Sequence, residues 1–259
     1  MHFWEHQAAV QLNEQERTGE MIVHVSVEEC VEEQAFLEFA RLSEEDPGKL
    51  ARGDVQDWDR LESAAVQVGI VPIYRIGDSL ARAEDLPHLY LTNILRSIEC
   101  LIGREKKQPA AIFVDYLQAL PIDPEVRATE LNGQRRLQVR QDIYRLRAAA
   151  VKFNCPVVVG VQAKQILTGA RPPVMLPGPY DGEETSSIAQ RADRILSLWM
   201  PARTATVGEW ITTKGDFIFQ VEEDQLWLKV VKQRGGLPAG RSWRCKIDFR
   251  SNTIAPEAK

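Results

Sequence analysis

Five polar side chains stand where apolar runs of this sequence end, and their types are those that phosphoryl transfer needs. Ala110 to Val114 (AAIFV) is a continuous apolar run, β-branched and aromatic, that stops at Asp115. Glu28 follows Met21 to Ser26 (MIVHVS), and Gln162 follows Pro156 to Val161 (PVVVGV). Leu226 to Val231 leads into Lys232-Gln233-Arg234-Gly235-Gly236. An Asp holding Mg²⁺ on phosphates, a carboxylate orienting water and a polar sensor of the γ-phosphate make up such a site. A cation pair on a glycine turn suits insertion into a neighbouring subunit's site, because Arg keeps its charge and forks onto phosphate oxygens. Each residue also has a plain structural reading. Asp115 reads as an acid at a turn, Glu28 as an acid favoured by a helix N-terminus, and Gln162 as a strand cap.

These side chains need strands that end at one edge. The AAIFV run lacks polar alternation, as expected of a strand buried on both faces of a parallel sheet, and ligands bind at the carboxyl edge of such sheets. Strands are expected at Met21–Ser26, Val71–Arg75, Ala110–Asp115, Pro156–Val161, Arg194–Trp199, Leu226–Val231 and Arg244–Phe249. Helices are expected over Phe3–Arg17, Glu28–Arg41, Val55–Val68, Leu86–Gly103 and Gln134–Phe153. The last of these carries Leu137, Ile143, Leu146 and Ala150 on one face. Its arginines (135, 136, 140, 145 and 147) read as a solvated face. Ser43–Asp54, Leu120–Gly133 and Thr168–Gly182 read as loops. Alternating strands and helices predict an α/β fold, a mostly parallel doubly wound sheet with an antiparallel C-terminal extension.

At 259 residues, 27% charged and 44% hydrophobic, the chain has ordinary globular composition. A net charge of −5 excludes a protein that coats DNA by overall basicity, though not one that confines basic groups to one surface. The four cysteines (Cys30, Cys100, Cys155, Cys245) form no CxxC pair and sit beside no histidine cluster, which argues against structural zinc and a disulfide framework. No secretory or membrane-spanning apolar segment is present, so a cytoplasmic location is expected.

In order along the chain, these motifs resemble the RecA-like C-terminal motor domain of the DnaB family of replicative DNA helicases. Ser26-Val27-Glu28 is similar to that family's Ser-Leu-Glu, and Asp115-Tyr116-Leu117-Gln118 to its Walker B signature. Asn154 to Val158 with Gln162 resembles the strand ending in Ser-Gln, and Ser187 to Asp193 the segment Ala-Ile-Glu-Gln-Asp-Ala-Asp. Lys232 to Gly236 is close to Lys-Gln-Arg-Asn-Gly, and Gly48-Lys49-Leu50 with Trp58 also fits. The resemblance spans Gly19 to Ile254 and implies a RecA-like P-loop NTPase core that uses ATP and Mg²⁺. It implies that Glu28 orients the attacking water, Asp115 holds the metal and Gln162 senses the γ-phosphate. Lys232 and Arg234 would act in trans, in a ring, most simply a hexamer. It further implies single-stranded DNA held by Leu120–Arg135 and Thr168–Ser187, where Arg127, Arg171, Glu184 and Ser186 are the candidate contacts. Glu183 stands where the family has an arginine, which weakens contact with the DNA backbone. Primase or a helicase loader are the partners implied for a full-length form.

The sequence contains no Gly-x-x-x-x-Gly-Lys-Ser/Thr, the phosphate cradle of P-loop proteins. Residues 1–259 are therefore expected to be a single motor domain lacking its first strand and P-loop, through truncation, and to bind ATP poorly. The alternatives are a non-hydrolysing remnant that docks on helicase rings or single-stranded DNA, and a RecA/RadA-type recombinase ATPase, which the DYLQ and KQR motifs disfavour.

Overall fold

The protein is described from a computed structural model that covers residues 2–55, 57–78, 89–123, 135–163, 176–182, 187–212, 218–235, 239–249 and 253–257. Two compact units emerge, residues 1–161 and 162–259.

The first unit is built on a four-stranded parallel sheet of order β2-β1-β3-β4, from β1 (Glu20–Ser26), β2 (Ile73–Ile76), β3 (Gln108–Asp115) and β4 (Val157–Val159). β1 and β3 are flanked by strands on both sides. That is why Met21 to Val25 and Ala111 to Val114 are buried throughout, the second as its unbroken apolar run predicts. β4 departs from the expectation of a buried strand, since Val158 is 42% exposed. It pairs with β3 along one side, and among the described residues it is one of the two edges of this sheet, β2 being the other. Helix α1 (His2–Glu14) packs Ala9 and Leu12 against Ile22, Ala111 and Phe113. α5 (Leu91–Glu105) buries Leu91, Ile94, Ile98 and Leu101, a stripe at helical spacing in which each side chain contributes about 2 kcal/mol.

Between β1 and β2 lie α2 (Val31–Ser43), α3 (Pro47–Arg52) and α4 (Trp58–Ile70). α3 corrects the expected loop over Ser43–Asp54. Asp46 accepts from the Lys49 amide at 2.9 Å, Pro47 takes the first turn, and Gly53 ends it at φ 74°. Aspartate, proline and glycine here delimit a helix. The helix Arg135–Lys152 buries Leu146 as expected, but with Gln138, Val139, Asp142 and Ala149 in place of Leu137, Ile143 and Ala150.

The second unit holds an antiparallel sheet of order β10-β9-β8-β5, from β5 (Arg194–Trp199), β8 (Gln225–Gln233), β9 (Ser242–Asp248) and β10 (Thr253–Pro256). The antiparallel extension is thus a sheet of its own. The hairpin of β6 (Trp210–Thr212) and β7 (Ile218–Gln220), like β10, has no counterpart in the sequence expectation. Its core is aromatic. Phe219 meets Trp199 edge-on with centroids 5.9 Å apart and Trp227 at 5.2 Å, beside Ile211 and Val221.

Candidate functional site

The carboxyl edge of the parallel sheet sets the start of the loop that carries Glu28 beside Asp115. Ser26, the last residue of β1, is the register partner of Asp115, the last of β3, and the Val27 amide donates to the Asp115 carbonyl at 3.1 Å. Beyond Asp115, the Leu117 amide donates to Gly160 O at 3.0 Å and the Gly160 amide to Val114 O at 2.9 Å, so β4 ends at the same edge. The peptide between Asp115 and Tyr116 is cis.

The loop that carries Glu28 is closed on itself. The Ser26 hydroxyl donates to Glu29 O at 2.9 Å and accepts from the Glu29 amide at 3.2 Å. Next comes the start of α2, where Cys30 and Glu33 form a capping box. From the β2 side, Asp78 O accepts from the Val31 amide at 2.9 Å. Gly77 lies so close that a Cβ there would stand 3.1 Å from Ser26 O and 3.2 Å from Val31 Cγ1.

Asp115 is half-buried and Glu28 exposed. Among the described residues no group of three or more His, Cys, Asp or Glu is placed to hold a metal ion.

Two buried polar clusters support this edge, and neither was expected from the sequence. In the first, Glu5 and His6 of α1 meet His24 of β1, Glu38 and Arg41 of α2, and Arg75 of β2. His24 Nδ1 pairs with Glu5, Arg75 pairs with Glu38, and His6 Nδ1 lies 3.1 Å from Glu38 Oε1. Burial pushes the Glu38 carboxyl up. The His6 hydrogen bond and the Arg75 charge more than reverse that, and its pKa is lowered. A histidine in the middle of an apolar strand is the signal that could have revealed this cluster, because a buried imidazole needs a partner.

The second cluster pins the segment after Asp115. Asp123 accepts from the Thr92 amide at 3.2 Å, from the Thr92 hydroxyl, and from Arg145 Nη1 at 2.6 Å. Arg135 donates to Leu120 O at 2.9 Å and to Gln118 O, and Gln138 Nε2 donates to Pro121 O at 2.8 Å. Arg135 and Arg145, expected on a solvated face, are thus turned onto neighbouring backbone and carboxylate. Asp142, 2% exposed, is pushed up to about 6 by burial, with Asp123 adding to the rise and Arg145 and Arg135 opposing it.

In the second unit, Lys232 lies near the end of β8 and Arg234 directly after it, beside the short helix Ser187–Arg191. Arg234 Nη1 pairs with Asp193 Oδ1 at 3.0 Å and Nη2 donates to Gln190 O at 2.9 Å, while Lys232 Nζ donates to Ala189 O. Gln162, the first residue of this unit, is exposed. Arg127, Arg171, Glu184 and Ser186 lie outside the described residues.

With this geometry, the fold is that of DnaB-like replicative helicase ATPase domains. One such ATPase domain matches with a TM-score of 0.71 at 17% identity, covering 97% of this chain and 79% of the other. A DnaB-like replicative helicase, solved in a study of its interactions with primase, matches with a TM-score of 0.70 at 16% identity. Here the match covers 96% of this chain and 54% of the helicase, so the chain spans about half that protein's length. At these identities the likeness establishes the fold. No family model matches the sequence, and no curated protein matches it.

Proposed function

We propose that this chain is an ATP-dependent motor domain of a DnaB-type replicative DNA helicase, which translocates on single-stranded DNA as a ring. The observation that carries the reading is the register of β1 with β3, which sets Glu28 and Asp115 at one carboxyl edge of a parallel sheet. Asp115 would hold the Mg²⁺ of ATP, and bound Mg²⁺ would neutralise charge on the phosphates. Glu28 orients the attacking water. Gln162 senses the γ-phosphate. Lys232 and Arg234 neutralise charge at the nucleotide of the adjacent subunit, in a homo-oligomer read as a hexamer. Arg127, Arg171, Glu184 and Ser186 are assigned to the DNA loops. Primase or a loader is the partner class in a full-length form. No described helix is long and apolar enough to cross a membrane, and the reading places the protein in the cytoplasm.

A second reading, a non-hydrolysing module for rings or single-stranded DNA, is favoured by one sequence fact, the absence of Gly-x-x-x-x-Gly-Lys-Ser/Thr from these 259 residues. Subunit mixing separates the two. For a ring motor, oligo(dT)-stimulated MgATP hydrolysis by a longer form that supplies the phosphate cradle is expected to fall by about 10²-fold or more in Asp115→Ala and in Arg234→Ala. Mixing the two inactive variants is expected to restore part of it, because some interfaces then combine an intact Asp115 with a neighbour's intact Arg234. Oligo(dT) binding without hydrolysis, indifferent to Asp115→Ala, selects the module. Neither activity removes both readings.

A further inference from the structure

The helix Ser187–Arg191 has five residues, too few to hold itself by intrinsic propensity. Its final carbonyls are taken by the two cations assigned to act in trans. Lys232 Nζ donates to Ala189 O and lies 3.4 Å from Gln190 O, and Arg234 Nη2 donates to Gln190 O at 2.9 Å. The backbone adds to this, since the Arg234 amide donates to Asp193 O at 2.8 Å, two residues beyond the helix. The support is mutual. Positive charge stabilises the carbonyl end of a helix, and the carbonyls fix where the charges stand. The Arg234–Asp193 pair is 48% and 66% exposed, the kind of ion pair that contributes little net stability. A more highly charged anion can displace Asp193 from it.

We propose that the C-terminal end of the Ser187–Arg191 helix, together with Asp193, is a holding site for Lys232 and Arg234, and that a polyphosphate anion draws both cations away and so uncaps the helix. The identity of that anion as a neighbouring subunit's triphosphate rests on the motor reading; the mutual support of helix and cations does not. Asp193 is then a positioning residue that sets where Arg234 waits. The uncapped helix begins at Ser187, the last residue of the stretch assigned to single-stranded DNA, so the exchange carries nucleotide state along the chain towards that stretch.

Hydrogen exchange on the intact chain, read by mass spectrometry, tests the proposal. In Lys232→Gln/Arg234→Gln the amides of Arg191 and Ala192 are expected to exchange about tenfold faster than in the wild type, with β3 still protected. Asp193→Asn is expected to speed exchange at Arg234 by about threefold. Unchanged exchange at Arg191 and Ala192 in the double variant overturns the holding site. If that variant loses β3 protection and so fails to fold, inorganic tripolyphosphate added to the wild type decides. Faster exchange at Arg191 and Ala192 upholds the exchange of anions, and no response rejects it. If both responses appear but a longer form that supplies the phosphate cradle never hydrolyses MgATP, the motor reading is lost and this one is kept.

Discussion

Glu38 and Asp142 are both carboxylates buried in the first unit, 4% and 2% exposed, and both have arginines nearby, yet their protons are held in opposite senses. Glu38 receives direct hydrogen bonds from His6 and Arg75, which favour its charged form more than burial disfavours it. Asp142 gains less. Its Oδ2 has no hydrogen-bond partner, and Arg145 is committed to Asp123 and Thr92. Proximity to a cation therefore does not settle the state of a buried acid. What settles it is whether the cation's donors are aimed at that acid or already spent on another. The Glu38 cluster ties α1, β1, α2 and β2 together as a charged assembly. Asp142 sits beside the Asp123 pin as a group whose proton is held to about pH 6.

Breaking the first cluster carries the largest expected effect. Glu38→Gln leaves Arg75, Arg41 and His6 without their shared counter-charge, and such a loss costs roughly 3–5 kcal/mol. Urea unfolding at pH 7 reads it. A loss below about 1 kcal/mol would show that the cluster is no stronger than a surface pair. In the parent protein the Glu38 contribution is present above the carboxyl's unfolded pKa, about 4.5, and is lost as pH falls through its lower folded value.

Asp142 runs the other way. Its pKa is raised from 3.8 to about 6, so the folded state binds the extra proton between those values. Stability from this group therefore rises as pH falls from about 6 towards 4, by at most about 3 kcal/mol. Asp142→Asn is expected to flatten that part of the stability profile and leave the Glu38 branch below it unchanged. If the profile between pH 4 and 6 is the same in the variant, the contrast between the two acids is wrong.

The sequence carried the strands of this arrangement better than its clusters. Ala111 to Val114 is legible because burial on both faces demands an unbroken apolar run, and Asp115 because it ends that run. Met21 to Val25 is legible because only a single histidine interrupts an otherwise apolar strand. Asp123, Thr92 and Arg145 come from three separate elements, and each alone looks like an ordinary polar residue. Their chemistry exists only after the helix Arg135–Lys152 has docked. The same holds for Arg234 and Asp193, 41 positions apart, which the antiparallel pairing of β5 with β8 brings together. Asp46-Pro47 and Gly53, by contrast, carried a legible helix signal that a loop reading passed over.

Gly77 offers the finest probe of the contrast, because it touches one side of it alone. It follows β2, the strand that supplies Arg75 to Glu38, and its open Cα face lies against Ser26 O and Val31 Cγ1. In Gly77→Ala the new methyl group meets a backbone oxygen at 3.1 Å, so β2 and the Ser26–Cys30 loop must separate by a few tenths of an ångström. The expected cost is about 1 kcal/mol, less than that of Glu38→Gln. The displacement falls on the loop that carries Glu28, and α5 and the helix Arg135–Lys152 lie outside it. Stability is therefore expected to drop slightly at every pH, with the rise between pH 6 and 4 intact. A change in that rise would mean that the two clusters communicate through the sheet edge, and that Glu28 and Asp115 are held by one network instead of two.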